Sequence, residues 1–86
     1  MRIEKKIWPK FFAQVARGEK RFELRLGDFA CAPGDTLVLR EWDPKTKVYT
    51  GRAIEKEVGD VLRTKGQPFW TEDEVAEHGF QMIAFK

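Results

Sequence analysis

Apolar and polar positions change period several times along this chain, and each change marks an element. Arg2 to Ile7 alternates, with Ile3, Lys5 and Ile7 on one side, which predicts a short strand. Pro9 suits the first turn of a helix, where its missing N–H is not needed. Phe12, Val15 and Ala16 then follow at helical spacing with Phe11 beside them. Gly18 is a natural left-handed terminator for that helix. Lys20 to Arg25 alternates again, placing Phe22 and Leu24 on one face and Glu23 and Arg25 on the other, a second strand with Lys20 at its entrance. Leu26 to Ala32 is irregular, and Pro33-Gly34-Asp35 is a turn. Thr36 to Trp42 reads as a strand, Asp43 to Lys47 as a turn, and Val48-Tyr49-Thr50 as the return. Arg52 to Leu62 reads as a long strand bent at Gly59. After the break at Lys65-Gly66-Gln67-Pro68, Thr71 and Glu74 form a capping box that predicts a short helix, Glu72 to His78, stopped by Gly79. Phe80 to Phe85 closes the chain as a strand, and its apolarity on both faces predicts a central position.

One early helix, about five strands and a short late helix predict an α+β fold built as a compact, partly closed mixed β-barrel. The chain shows no internal repeat and no linker, so residues 1–86 are expected to form a single domain. At 86 residues the core must be thin, and the 13% aromatic content matters because aromatic side chains let few positions bury much area. Cys31 is the one cysteine and His78 the one histidine, which excludes a disulfide framework and a multi-cysteine zinc site. We expect no metal and no cofactor. Neither a signal peptide nor an apolar spanning run is visible, so a cytoplasmic protein without membrane partners is the expectation.

The net charge of +2 implies no partner, but its distribution is uneven. Residues 1–25 carry eight basic and three acidic side chains, whereas residues 71–79 carry four acidic ones and no Lys or Arg. That asymmetry is compatible with a phosphate-facing N-terminal surface and an acidic far side. The densest chemistry lies in Gly18-x-Lys20-x-x-Glu23-x-Arg25. A lysine, a carboxylate and an arginine gathered there could bind an anion, orient a base or activate a nucleophile. They could equally be a solvated strand face with an ion pair. Arg25 offers a planar fork that suits phosphate or carboxylate. Trp42, at the end of its strand, could stack a base or seal the barrel end. Lys5, Lys6, Lys10, Arg17 and Arg21 are candidates for phosphate contacts. His78 reads as a helix-end cap and Trp70 as a packing residue.

With these residues in place, the chain resembles the ASCH family, a branch of the PUA-like superfamily. The resemblance rests on the Gly18-x-Lys20-x-x-Glu23-x-Arg25 run after a short helix, followed by the Pro33-Gly34-Asp35 turn into a strand. It is nearest to a compact group of bacterial and phage ASCH-like proteins, through Phe22-Glu23-Leu24-Arg25, Leu39-Arg40-Glu41-Trp42-Asp43-Pro44 and Tyr49-Thr50-Gly51-Arg52. It covers most of Met1 to Leu62. The family implies a PUA-like mixed β-barrel whose cleft is lined by the signature Lys, Glu and Arg, with RNA or nucleotides, including modified bases, as ligands. One subgroup hydrolyses the acetyl amide of N(4)-acetylcytidine, and ribonuclease activity is attributed to others. In the amidohydrolases the Lys and Arg correspond to Lys20 and Arg25, but a nucleophilic Thr stands where this chain has Glu23. The hydroxyl that mechanism uses is therefore absent here.

The resulting expectation is an RNA- or nucleotide-binding module in which Lys20, Glu23 and Arg25 read a polar ligand, with Trp42, Lys5 and Arg21 contributing. The alternative is a small hydrolase of N(4)-acetylcytidine or RNA, with Lys20 and Glu23 as its catalytic residues. A further alternative is a protein-interaction module using the acidic helix from Glu72 to Glu77.

Overall fold

The computed structural model describes residues 1–83 and 85. Its elements, in chain order, are β1 (Arg2–Ile7), α1 (Pro9–Ala16), β2 (Thr36–Asp43), β3 (Val48–Glu57) and α2 (Glu72–His78). The strands form one sheet in the order β1-β2-β3. β1 runs parallel to β2, with Ile3 opposite Leu37 and Ile7 opposite Glu41. β3 runs antiparallel to β2, with Leu39 opposite Ile54 and Trp42 opposite Tyr49. A parallel pair needs a long crossover. Here that crossover is α1 together with the irregular segment from Arg17 to Asp35.

α1 forms where the pattern places it: Pro9 occupies the first turn, and Phe12 and Val15 are its buried positions. Gly18 follows the helix at a φ of 75°, a conformation that disfavours any side chain. Phe12 and Val15 meet Ile7 and Leu39 in the core, with Leu37 and Ile54 packed against them. Leu39 is the deepest side chain at 1% exposure. The alternation of β2 thus sends Leu37 and Leu39 toward α1 and leaves Val38, Arg40 and Trp42 on the opposite, helix-free face. Val38 is nonetheless buried. It sits in register between Glu4 and Glu55, and ion pairs from Arg40 to Glu4 and from Arg2 to Glu55 lie at that level of the sheet. The apolar stems of such side chains cover an apolar neighbour while their heads stay in water.

The sheet is open and three-stranded, which corrects the expected barrel of about five strands. Lys20 to Arg25 is not a strand. Lys20 and Glu23 pair directly, three residues apart, and a strand would send them to opposite faces. The local charge pairing is therefore incompatible with the expected pleat. Val48 to Glu57 is a single strand, so the expected strand over Arg52–Leu62 starts earlier and stops before Gly59. Its irregularity lies instead between Tyr49 and Ala53, opposite the Arg40–Trp42 stretch of β2 where the register shifts. Phe80 to Ile83 and Phe85 join no strand, and Ala84, within the expected closing strand, lies outside the described residues. The capping box forms as expected: Thr71 accepts from the Glu74 N–H, and the Glu74 side chain accepts from the Thr71 N–H.

The last third of the chain is loosely attached. α2 buries none of its side chains, and Leu62, Phe69 and Ile83 each remain 71% exposed. Trp70 makes edge-on contacts with Phe69 and Phe80, at ring separations of 5.6 and 5.9 Å. The chain exposes 7233 Å², against about 5200 Å² for a compact protein of its mass. Its radius of gyration is 14.8 Å, where about 12 Å is typical of this length. The α1–sheet layer is the packed body that positions the site.

Candidate functional site

The signature residues come together through side chains rather than through a strand. Lys20 Nζ lies 2.6 Å from Glu23 Oε1, and Arg25 Nε donates to Glu23 Oε2 at 3.0 Å. These side chains are largely withdrawn from water, at 16% exposure for Lys20, 15% for Glu23 and 29% for Arg25. Screening is weaker there than at an open surface. Lys20 also faces the rings of Phe11 and Phe22, at 5.1 and 5.6 Å from their centres. Both oxygens of Glu23 are engaged, so its structural role is to hold the two cations. No hydroxyl shares this network in the hydrogen bonds among the described residues.

Arg25 links the network to the sheet by donating from Nη2 to the Lys6 carbonyl of β1. That contact ties the 20–29 segment to the β1 strand. Beside it lie two shallow hollows. One, of about 460 Å³, is lined by Glu4, Lys5, Lys6, Arg25, Arg40 and Tyr49. The other, of about 340 Å³, is lined by Lys5, Leu24, Arg25, Leu26, Asp28 and Phe29. Lys5 and Arg25 belong to both.

Register explains how the first hollow acquires its charge. Lys6 of β1 lies opposite Arg40 of β2, and Tyr49 of β3 lies opposite Trp42 of β2. Lys6, Arg40, Trp42 and Tyr49 therefore share the helix-free face of the sheet. The Arg40 guanidinium stacks 4.0 Å from the Tyr49 ring centre, and Lys6 Nζ lies 4.4 Å from that of Trp42. Lys5 Nζ sits 3.8 Å from the Phe29 ring centre. Such cation–π contacts contribute about 0.5–1 kcal/mol at exposed sites and restrict where each charge points.

A second polar cluster lies on the opposite face of the sheet, toward α1. Glu41 is 5% exposed, and its Oε1 accepts from the Thr50 hydroxyl at 2.7 Å. Arg52 Nε approaches the same oxygen at 3.7 Å while its guanidinium lies 4.6 Å from the Phe12 ring centre. Between Tyr49 and Ala53, three residues of β3 oppose the single Glu41 of β2, with Gly51 at a φ of 93°. This is a bulge, which adds local twist and re-aims neighbouring side chains. It sits between Tyr49 and the rest of β3, so the Glu41 cluster braces the turn that presents Tyr49 to Arg40.

Of the residues singled out from sequence, Lys20, Glu23 and Arg25 converge, and Lys5 joins Arg25 at the hollows. Trp42 stands on the sheet face beneath Lys6. Arg21 stays apart, donating to the Gly18 carbonyl at 3.3 Å. Lys6, a candidate phosphate contact, lines the first hollow; Arg40, Tyr49 and Glu4 were not expected among the site residues, and neither was the buried Glu41. Alternation could have placed Arg40 with Trp42 and Glu4 with Lys6, but only the β1–β2–β3 register sets the two pairs side by side. Among the described residues no cluster of His, Cys, Asp and Glu could hold a metal ion, and no helix is long and apolar enough to cross a membrane.

This arrangement belongs to a small α+β domain whose helix-free sheet face sets Lys6 and Arg40 beside Trp42 and Tyr49. A family model described as a domain of unknown function, DUF3850, matches residues 4–76, and the chain belongs to that family. The match spans both the signature network and the sheet-face cations. An Escherichia phage P2 protein described as an uncharacterized 12.9 kDa protein in the GpA 3′ region is 40% identical to this chain over 75 residues. The shared region is 87% of this chain but 64% of the phage protein, so the chain spans less than two thirds of that relative's length. No solved structure matches.

Proposed function

We propose that this chain is an RNA- or nucleotide-binding module, related to the ASCH family through its signature run and working in the cytoplasm. The observation that carries the reading is the Lys20–Glu23–Arg25 network, in which one carboxylate holds two cations beside a hollow lined by further cations. A polar ligand entering there meets Lys5, Lys6, Arg25 and Arg40 as donors against the single carboxylate of Glu4, which suits phosphate oxygens and the acceptor edge of a base. Catalysis is the weaker reading, because Glu23 has both oxygens occupied and stands where the resembling hydrolases use a hydroxyl. The test is a titration with single-stranded RNA at several salt concentrations. The expected result is an affinity that falls as salt rises and drops in Arg25→Ala. An affinity independent of salt and indifferent to Arg25→Ala would sink the proposal. Turnover of N(4)-acetylcytidine that disappears in Lys20→Ala would replace it with the hydrolase reading.

The acidic helix α2 supports a second reading, as a protein-docking element. A seven-residue helix that buries none of its side chains is not stable by itself. Pull-downs that depend on Glu72, Asp73 and Glu77, from a chain that binds no RNA, would favour it.

A further inference from the structure

We infer that the two hollows beside β1 form one seat for a pair of adjacent phosphoryl groups, gripped by Lys5, Lys6, Arg25 and Arg40. This deepens the nucleotide- or RNA-binding reading and rests on it for biological meaning, but the seat itself can be tested separately. The signature network is not where the phosphates sit. Lys20 is paired with Glu23, and neither Lys20 nor Glu23 lines a hollow. Arg25 is the residue common to the network and the seat.

Each of the four cations is restrained before any ligand arrives. Lys5 is held against Phe29, Lys6 against Trp42 and Arg40 against Tyr49, while Arg25 is fixed by Glu23 and by the Lys6 carbonyl. Ordinary surface lysines and arginines lose rotamer freedom when they bind, a cost that pre-placed side chains largely avoid. Lys5 and Lys6 have no carboxylate partner in the ion pairs among the described residues. Arg40 has only a distant one, Glu4 at 3.9 Å.

Charge and shape together select the ligand class. The larger hollow sets four cations against one carboxylate, more than a single phosphate neutralises. The hollows share Lys5 and Arg25, so two phosphoryl groups can lie side by side with those two cations between them. Both are open, which admits either a nucleoside diphosphate or two successive phosphates of an RNA strand. The chemistry is shared, and only the source differs.

Isothermal titration with inorganic pyrophosphate and orthophosphate tests the seat, using the whole chain at low salt. Pyrophosphate is expected to bind at least tenfold more tightly than orthophosphate. Lys6→Ala and Arg40→Ala should each weaken pyrophosphate at least fivefold, with far-UV circular dichroism unchanged and Lys45→Ala without effect. Arg25→Lys keeps the charge, removes the fork, and should weaken pyrophosphate severalfold. Equal affinity for the two anions, or binding indifferent to Lys6 and Arg40, overturns the seat. An octauridylate with hydroxyl ends and adenosine diphosphate then separate the sources by which of them pyrophosphate displaces. Pyrophosphate binding without either would overturn the broader reading and leave the seat standing. RNA binding that needs Arg25 but ignores Lys6 and Arg40 would do the reverse.

Discussion

Glu41 offers a sharp test of the packing logic, because its surroundings allow the cost of each change to be worked out. Its Oε1 accepts from the Thr50 hydroxyl at 2.7 Å and faces Arg52 at 3.7 Å. A hydrogen bond to a charged acceptor contributes about 1.5–3 kcal/mol, and a neutral one about 1. Arg52 is mostly exposed, so its attraction is screened to below about 1 kcal/mol. Glu41→Gln keeps an acceptor for Thr50 and should cost about 1 kcal/mol. Glu41→Ala removes the acceptor and opens a void, while the exposed Thr50 can turn to water, and the change should cost about 1–3 kcal/mol. Thr50→Val leaves a buried carboxylate short of its donor, so its cost should couple to that of Glu41→Gln by about 1 kcal/mol. Urea unfolding followed by tryptophan fluorescence and circular dichroism measures all four proteins, with the double mutant closing the cycle. Additivity within about 0.3 kcal/mol would refute a bond strengthened by the carboxylate charge. The same brace predicts a readout at the site: nuclear Overhauser contacts between the Tyr49 ring and the Arg40 side chain should weaken in Glu41→Ala and survive in Glu41→Gln.

Leu39→Ala, at the centre of a core of few residues, should cost about 3 kcal/mol and lower the urea midpoint of the whole sheet. Thr71→Ala should cost α2 about 1 kcal/mol of local stability, seen as faster amide exchange across Glu72–His78 with β1–β3 unaffected. The backbone N–H of Ala32, and then the N-terminal ammonium, hold the Asp35 carboxyl below its ordinary range. The Thr71 backbone N–H, and then its side chain, do the same for Glu74. A depressed folded pKa gives stability that is present above the unfolded value and lost as pH falls through the folded one. The urea midpoint should therefore fall on acidification through and below about pH 4, and Asp35→Asn should flatten that fall. Glu4→Gln removes the one carboxylate lining the larger hollow and should tighten pyrophosphate severalfold, measured by the same titration.

Local chemistry made much of this protein legible. The alternation of Arg2–Ile7 and Thr36–Trp42, the Pro9 start and Gly18 stop of α1, and the Thr71–Glu74 capping box all depend on neighbours a few residues away. Each survives in the structure with nearly its expected bounds. The run over Lys20–Arg25 failed as a strand for an equally physical reason. Alternation there counted Phe22 and Leu24 as a core face, yet Leu24 is exposed, and the Lys20–Glu23 pair bends the segment out of any pleat. Phe80 to Phe85 failed differently: apolarity on both faces shows that a segment needs cover, but not which surface supplies it.

The candidate site divides along the same line. By itself the sequence determined which residues make up its local part, the Lys, Glu and Arg of the Gly18–Arg25 run, although Lys20 meets Glu23 only because the segment is not the expected strand. Only the tertiary structure decided that Arg25 reaches the Lys6 carbonyl, that Lys6 lies across from Arg40, and that a bulge at Glu41 swings Tyr49 under that guanidinium. Those contacts join residues 9 to 34 positions apart, and the reason is register. A shift of one residue in either ladder would turn Lys6, Arg40 and Tyr49 to opposite faces. Burial of Leu37, Leu39 and Ile54 against α1 is what forbids that shift.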